Sequence, residues 1–191
     1  MRPKPLRVIC LCGMQPIIEQ QTKPASGWVF GRVVQKVSPT AKHANAQTRV
    51  AAALMAWADT NGVGRVGTEW EFRIAPPSEE FRSLVPDVAF LSYDRLGFDE
   101  EKAAQMPAVA PNIAVEILSP NDRKRDVEEK IRVYLASGTD LVVVADPERK
   151  EVAMHDSRSV SMLHCGDMLR HRALPEFSMA VSDIFARPGE R

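Results

Sequence analysis

The sequence predicts a single mixed α/β domain, built as a mixed β-sheet flanked by helices and carrying additional β-hairpins. Three observations predict it. A helical pattern at 41–60 is followed by three strand-like runs that can pair antiparallel through short connections. A strand–helix–strand unit at 113–145 comes next, and a crossover of that kind places its two strands parallel in one sheet. At 191 residues, 45% apolar and 26% charged, the chain can bury one sizeable core and is too short for two comfortable ones.

The elements follow in order. Pro3, Pro5, Pro16 and Pro24 interrupt any regular element in residues 1–26; residues 1–22 are read as an irregular leader and 23–187 as the domain. Met14 is an alternative start that would leave residues 1–13 as unstructured leader. A short strand or hairpin covers Trp28–Val37 and closes at Ser38-Pro39. From Thr40 or Ala41 to about Thr60, Val50, Leu54, Trp57 and Ala58 recur at helical spacing, and Asn61-Gly62 ends the helix.

Residues 63–74 then alternate, with Trp70, Phe72 and Ile74 on one side and Glu69, Glu71 and Arg73 on the other. Two further strands are Leu84–Tyr93 and Ile113–Leu118, separated by a polar, mobile loop at 95–108. Arg123 to Ser137 reads as a helix, with Ser119 to Asp122 as its capping region and Gly138 as its stop. Leu141–Ala145 is a buried strand ending at Asp146-Pro147, where Asp-Pro opens a turn. A final hairpin near 150–163 leads to a short C-terminal region containing Leu174, Phe177, Ile184 and Phe185.

Composition removes several classes of function. No apolar run reaches the roughly 18 residues of a membrane span, and Val8–Cys12 is shorter than a secretory core of roughly 7–15 residues. The chain is therefore read as cytoplasmic, with no membrane partner. The net charge is zero, unlike the strongly basic domains that coat nucleic acid without specificity. Arg123-Lys124-Arg125 is the densest basic cluster, either a solvated loop or a local phosphate contact. Cys10-x-Cys12 and His164-Cys165 lack the spacing of a structural zinc site, so the three cysteines are read as free thiols.

Three residues stand out chemically. Glu116 lies in Ile113–Leu118, where every neighbour is apolar, and an ionised carboxylate there costs several kcal/mol unless it is paired or bound to a cation. Either a buried ion pair with an arginine or a metal site would offset that cost. Asp87 shares a strand face with Val85, Ala89 and Leu91, beside Pro86, which cannot donate a ladder hydrogen bond; the strand is at an edge or distorted there. Taken alone, the dipeptide is better explained as a turn-forming Pro-Asp near a strand start. Lys130 falls beside the stripe formed by Val127, Ile131, Tyr134 and Leu135. From there its ammonium can point along the sheet to Glu116, snorkel to solvent or pair with Asp126. His43 and Gln47 lie one turn apart at the start of the first helix, on the stripe of Val50 and Leu54, where they cap, bond in the core or line a site.

Taken together, Pro86-Asp87 and Glu116-Ile117-Leu118-Ser119 resemble the PD-(D/E)XK nuclease signature, and more closely that of the Uma-two family of restriction-endonuclease-like proteins, a bacterial group abundant in cyanobacteria. The likeness runs from about Lys23 to Phe185 and is most specific over Pro111–Pro147, supported by LVPDVAFLSYDRL and by Lys36–His43. It implies the restriction-endonuclease-like fold and Mg²⁺- or Mn²⁺-dependent DNA cleavage. On that basis Asp87 and Glu116 are the expected metal ligands, Lys130 the expected helper of the attacking water, DNA the expected partner, and a homodimer a possible assembly.

Two positions depart from the pattern. The superfamily lysine ordinarily lies two residues after the acid, where this chain has Leu118; Lys130 on the next helix matches the family's own placement. Many members also carry an acidic residue where this chain has Gly27. That departure leaves open a nuclease fold without catalysis that binds nucleic acid or a partner protein, and an enzyme acting on another phosphate or small-molecule ligand in the same cleft is a third reading.

Overall fold

Thr40 begins the first long helix because its hydroxyl accepts the His43 amide, satisfying one of the donors that a helix start leaves open. The helix α1 runs Ala41–Asn61 and stops at Gly62, which takes the left-handed conformation (φ 62°) that a non-glycine residue adopts at a cost. A computed structural model of the chain describes residues 26–29, 32–35, 40–187 and 189. The expected leader, Met14, Cys10, Cys12 and the Ser38-Pro39 turn lie outside these residues.

Ahead of α1, the expected hairpin is present as β1 (Ser26–Val29) and β2 (Arg32–Gln35), paired antiparallel. After it come β3 (Gly64–Thr68), β4 (Phe72–Ile74), β5 (Arg82–Leu84), β6 (Val88–Ser92) and a single helical turn, α2 (Glu101–Ala104). Then follow β7 (Ile113–Ile117), α3 (Lys124–Ala136), β8 (Leu141–Asp146), β9 (Glu151–His155), β10 (Val160–Leu163), β11 (Met168–His171), β12 (Leu174–Ala180) and the short helix α4 (Val181–Phe185).

Six strands form one sheet in the order β10-β9-β8-β7-β6-β3. β7 and β8, joined through α3, are parallel; every other neighbouring pair is antiparallel. One face of the sheet packs on α1, α4 and the β11–β12 hairpin through Val88, Phe90, Ile113, Val115, Ile117, Val143, Leu54 and Ile184. Trp57 pins that layer together: its ring meets Phe90 at 5.1 Å and Phe177 at 6.1 Å, and its Nε1 donates to the Pro175 carbonyl. The other face packs on α3 and on the β4–β5 hairpin through Ala89, Leu91, Ala114, Val142, Val144, Phe72, Leu84 and Tyr134. Strand alternation decides which residues go where: odd positions of β7 face α1 and even positions, including Glu116, face α3.

The structure corrects the expected elements in three places. The alternating run 63–74 is not one strand. It breaks at Glu69, whose φ of 51° reverses the chain, so that β3 joins the main sheet while β4 pairs with β5 in a separate hairpin. The run Leu84–Tyr93 is likewise divided at Pro86-Asp87 into β5 and β6. Of the two expectations for that dipeptide it is distortion that holds, because β6 lies inside the sheet, between β3 and β7. Finally, the C-terminal region carries a second hairpin, β11–β12, that its irregular spacing of apolar residues did not signal.

Candidate active site

The site sits where β6 begins and β7 ends. Val88 pairs with Val115 in the antiparallel ladder, and the same register carried one residue further sets Asp87 opposite Glu116. The two acids therefore share the α3 face where β6 begins and β7 ends, and directly opposed residues there have Cβ atoms about 5 Å apart. Both are buried, Asp87 at 3% and Glu116 at 5% exposure, so neither charge is dissolved away by water.

Pro86 explains how Asp87 is held. In an undisturbed ladder the Ile117 amide would donate to the backbone of residue 86. Instead Asp87 Oδ2 accepts that amide at 2.6 Å, so its carboxylate replaces a strand carbonyl. Pro86 also has no N–H to offer the Ile117 carbonyl in return, which leaves a hard oxygen at the same point without its ladder donor. On the α1 side, His43 Nε2 lies 3.3 Å from Asp87 Oδ2, with both side chains buried.

Glu116 is met from α3. Lys130 Nζ is 2.5 Å from Glu116 Oε2, and Tyr134, one turn later, donates its hydroxyl to Oε1 at 3.1 Å. Burial first, then the Glu116 charge beside it, push the Tyr134 phenol well above its ordinary pKa, so it remains a proton donor. Of the destinations open to Lys130, the one along the sheet is taken. Lys130 and Tyr134 both help to meet the cost of burying Glu116.

Gln47 ties the remaining wall together. Its amide donates to the Asp87 carbonyl at 2.9 Å and to Glu69 Oε1 at 3.0 Å, and the Glu69 amide also points to the Asp87 carbonyl. His43 and Gln47 thus line the site. Sequence reasoning placed Tyr134 only in the apolar stripe; a tyrosine one turn beyond a lysine that faces a buried acid was the available signal. Nothing in the local sequence marked Glu69, which enters the site through a backbone reversal. Asp146 does what Asp-Pro suggested, accepting the Glu148 and Arg149 amides in a turn. Arg123, Lys124 and Arg125 are exposed at the start of α3, with Lys124 3.7 Å from Glu128. Gly27 lies in β1, opposite Val34.

Among the described residues no group of three or more His, Cys, Asp or Glu side chains is arranged to hold a metal ion. The donors that do converge are carboxylate oxygens on neighbouring strands, which suit Mg²⁺ or Mn²⁺, ions that keep several of their own waters and need few protein ligands. They do not suit structural zinc, which takes four nitrogen or sulfur ligands. Two carboxylates are donors of the type a hard, water-rich cation takes.

Comparison with known proteins places the chain. No curated protein matches it. A solved structure from Anabaena variabilis, described as "a putative nuclease belonging to DUF820", superposes with a TM-score of 0.76 over 86% of this chain and 91% of that one. At 23% identity the likeness establishes the fold, and that fold is the mixed sheet with flanking helices and extra hairpins expected of a restriction-endonuclease-like protein. The model of the Uma2 family, described as "Putative restriction endonuclease", matches residues 14–182, nearly the whole length. This chain belongs to the Uma2 family.

Proposed function

We propose that this protein is a Mg²⁺- or Mn²⁺-dependent endonuclease that hydrolyses DNA phosphodiester bonds with Asp87, Glu116 and Lys130. One observation supports this above the rest: a buried glutamate at the end of an apolar strand faces a second buried acid on one side and a lysine on the other. A purely structural core has little use for two adjacent carboxylates, since like charges there repel strongly at low dielectric. Family membership points the same way.

Asp87 and Glu116 would hold the cation, whose chemistry is to polarise the phosphate and lower the pKa of water. The chain's own residues supply the rest. Ile117's amide fixes the Asp87 carboxylate, and Tyr134 fixes that of Glu116. Lys130, anchored on Glu116, places an ammonium at the mouth of the pair, where it can orient the attacking water and offset charge on the phosphate. Removing one such donor typically costs about 100–1,000-fold in rate.

The test is cleavage of plasmid DNA with Mg²⁺ or Mn²⁺, alongside calorimetric titration of Mn²⁺. Metal-dependent nicking should disappear in Asp87→Asn and Glu116→Gln and fall about 100-fold or more in Lys130→Met. Mn²⁺ binding should be lost in Glu116→Ala while the thermal transition survives. Binding of Mn²⁺ unchanged in that variant overturns the ligand assignment.

A second reading has its own support. Gly27 stands where the family resemblance implies an acid, and the chain has no net positive charge. A nuclease fold that binds nucleic acid or a protein without cutting would retain DNA binding in the Asp87→Asn variant and show no nicking in wild type with either metal.

A further inference from the structure

Both oxygens of Glu116 are engaged from α3: the Tyr134 hydroxyl donates to Oε1, and the Lys130 ammonium lies 2.5 Å from Oε2. The two donors differ in charge. Tyr134 is neutral and can keep Oε1 whatever else approaches. Lys130 is a cation, and it holds an oxygen that the proposed metal ion would need. Asp87 is secured by the Ile117 amide, which brings no net charge to the pair.

Charge decides whether both cations can stay. Asp87 and Glu116 are buried, and their two carboxylates carry two negative charges. One ammonium offsets half of that, whereas a divalent cation offsets all of it and leaves the ammonium in excess. An ion bound about 2.1 Å from Oε2 would also stand about 4 Å from Nζ. Like charges at that separation repel far more strongly in a partly buried site than in water. Lys130 has a way out: its side chain is 22% exposed against 7% for Glu116. Its flexible aliphatic stem can carry the ammonium outward without moving the helix. Asp126, one turn nearer the start of α3, stands at the spacing where charged side chains meet along a helix surface.

We propose that Lys130 competes with the divalent cation for Glu116: as Mg²⁺ or Mn²⁺ binds, the ammonium yields Oε2 and swings outward toward Asp126. The proposal rests on Asp87 and Glu116 being the metal ligands. Its consequence is an ordered sequence at the site. Before the ion enters, Lys130 keeps a buried carboxylate compensated, which stabilises the fold. Once the ion is in place, the same ammonium stands at the mouth, where it meets the attacking water and a substrate phosphate. The lysine is thus released for DNA only in a loaded site, and the ion is held less tightly than two buried carboxylates alone would hold it.

The test uses the full chain and Mn²⁺ alone, without DNA. In calorimetric titrations Lys130→Met should bind Mn²⁺ about 10-fold more tightly than wild type or better, because the competitor is gone. A second measurement needs no variant: acylation of the wild-type amines, read by mass spectrometry. Mn²⁺ should raise labelling of Lys130 several-fold and leave that of Lys124, already 90% exposed, unchanged. In Glu116→Ala, Lys130 should label readily with or without Mn²⁺. Where wild type binds Mn²⁺, an affinity in Lys130→Met equal to or below the wild-type value, or Lys130 labelling that does not rise, overturns the competition and leaves the ligand assignment standing. Mn²⁺ binding by neither protein overturns both.

Discussion

Asp87 and Glu116 face each other across the β6–β7 ladder one position beyond its last regular pair, Val88 and Val115. Pro86 makes this possible, since it ends the strand and lets the aspartate side chain take the Ile117 amide. Each acid is then secured from a different layer: Asp87 from α1 by His43, and Glu116 from α3 by Lys130 and Tyr134. The two helices meet the sheet where these two interior strands end.

The Lys130–Glu116 pair is buried on one side and reaches solvent on the other, with the lysine side chain 22% exposed. Lys130→Met leaves a buried carboxylate without its cation and should cost about 3 kcal/mol, the lower end for breaking such a pair. Combining it with Glu116→Gln should recover much of that loss. A double-mutant cycle by urea denaturation measures the coupling; additive losses would show that the two groups do not interact.

Tyr134→Phe removes one hydrogen bond to a charged acceptor and no packing volume. Stability should fall by about 2 kcal/mol, shifting the melting temperature by about 4–8 °C in a chain of this size. In the proposed enzyme it should also weaken Mn²⁺ binding, because Glu116 loses the contact that orients Oε1; calorimetry of the folded variant reads this directly.

Between α3 and the β4–β5 hairpin, Glu129 is bonded to Arg132 and Arg82, and Arg132 and Arg82 also reach Glu79. Hydrogen bonding to Arg132, with a further bond to Arg82, lowers the Glu129 pKa from 4.5 to about 2. A depressed folded pKa means stability that is fully present above 4.5 and is lost as pH falls toward 2. Glu129→Gln should therefore flatten the decline in melting temperature over that window and be less stable than wild type at neutral pH. Parallel curves for the two proteins would show that the network contributes nothing.

Gly64 and Gly62 distinguish two reasons for glycine. A Cβ at Gly64 would run into the Leu91 carbonyl and Ser92 backbone of β6, so Gly64→Ala must push β3 off the sheet and should cost several kcal/mol. At Gly62 there is open space, and Gly62→Ala should cost only about 1 kcal/mol of left-handed backbone strain. Thermal melts of the two variants test the order.

Much of this protein was written in local chemistry. Periodicity located α1 and α3, because each buries one stripe, and continuous apolar runs located the strands of the parallel pair, which are buried on both faces. An acid in an apolar strand, Glu116, and another beside a proline, Asp87, declared themselves through the cost of burying charge. Lys130 was legible because helical spacing fixes which side of α3 it occupies.

What the linear chain did not determine was which partner each group would find. Asp87 could have been a turn residue and Lys130 a solvated one until the register of β6 against β7 and the packing of α3 brought them to one place. Glu69 entered the site through a reversed backbone that broke an apparently continuous strand, and Tyr134 kept its expected place in the apolar stripe while adding a hydrogen bond to Glu116. Side-chain pattern reports only burial along an element. Pairing register and layer packing are long-range contacts, and those alone decide where buried polar groups meet.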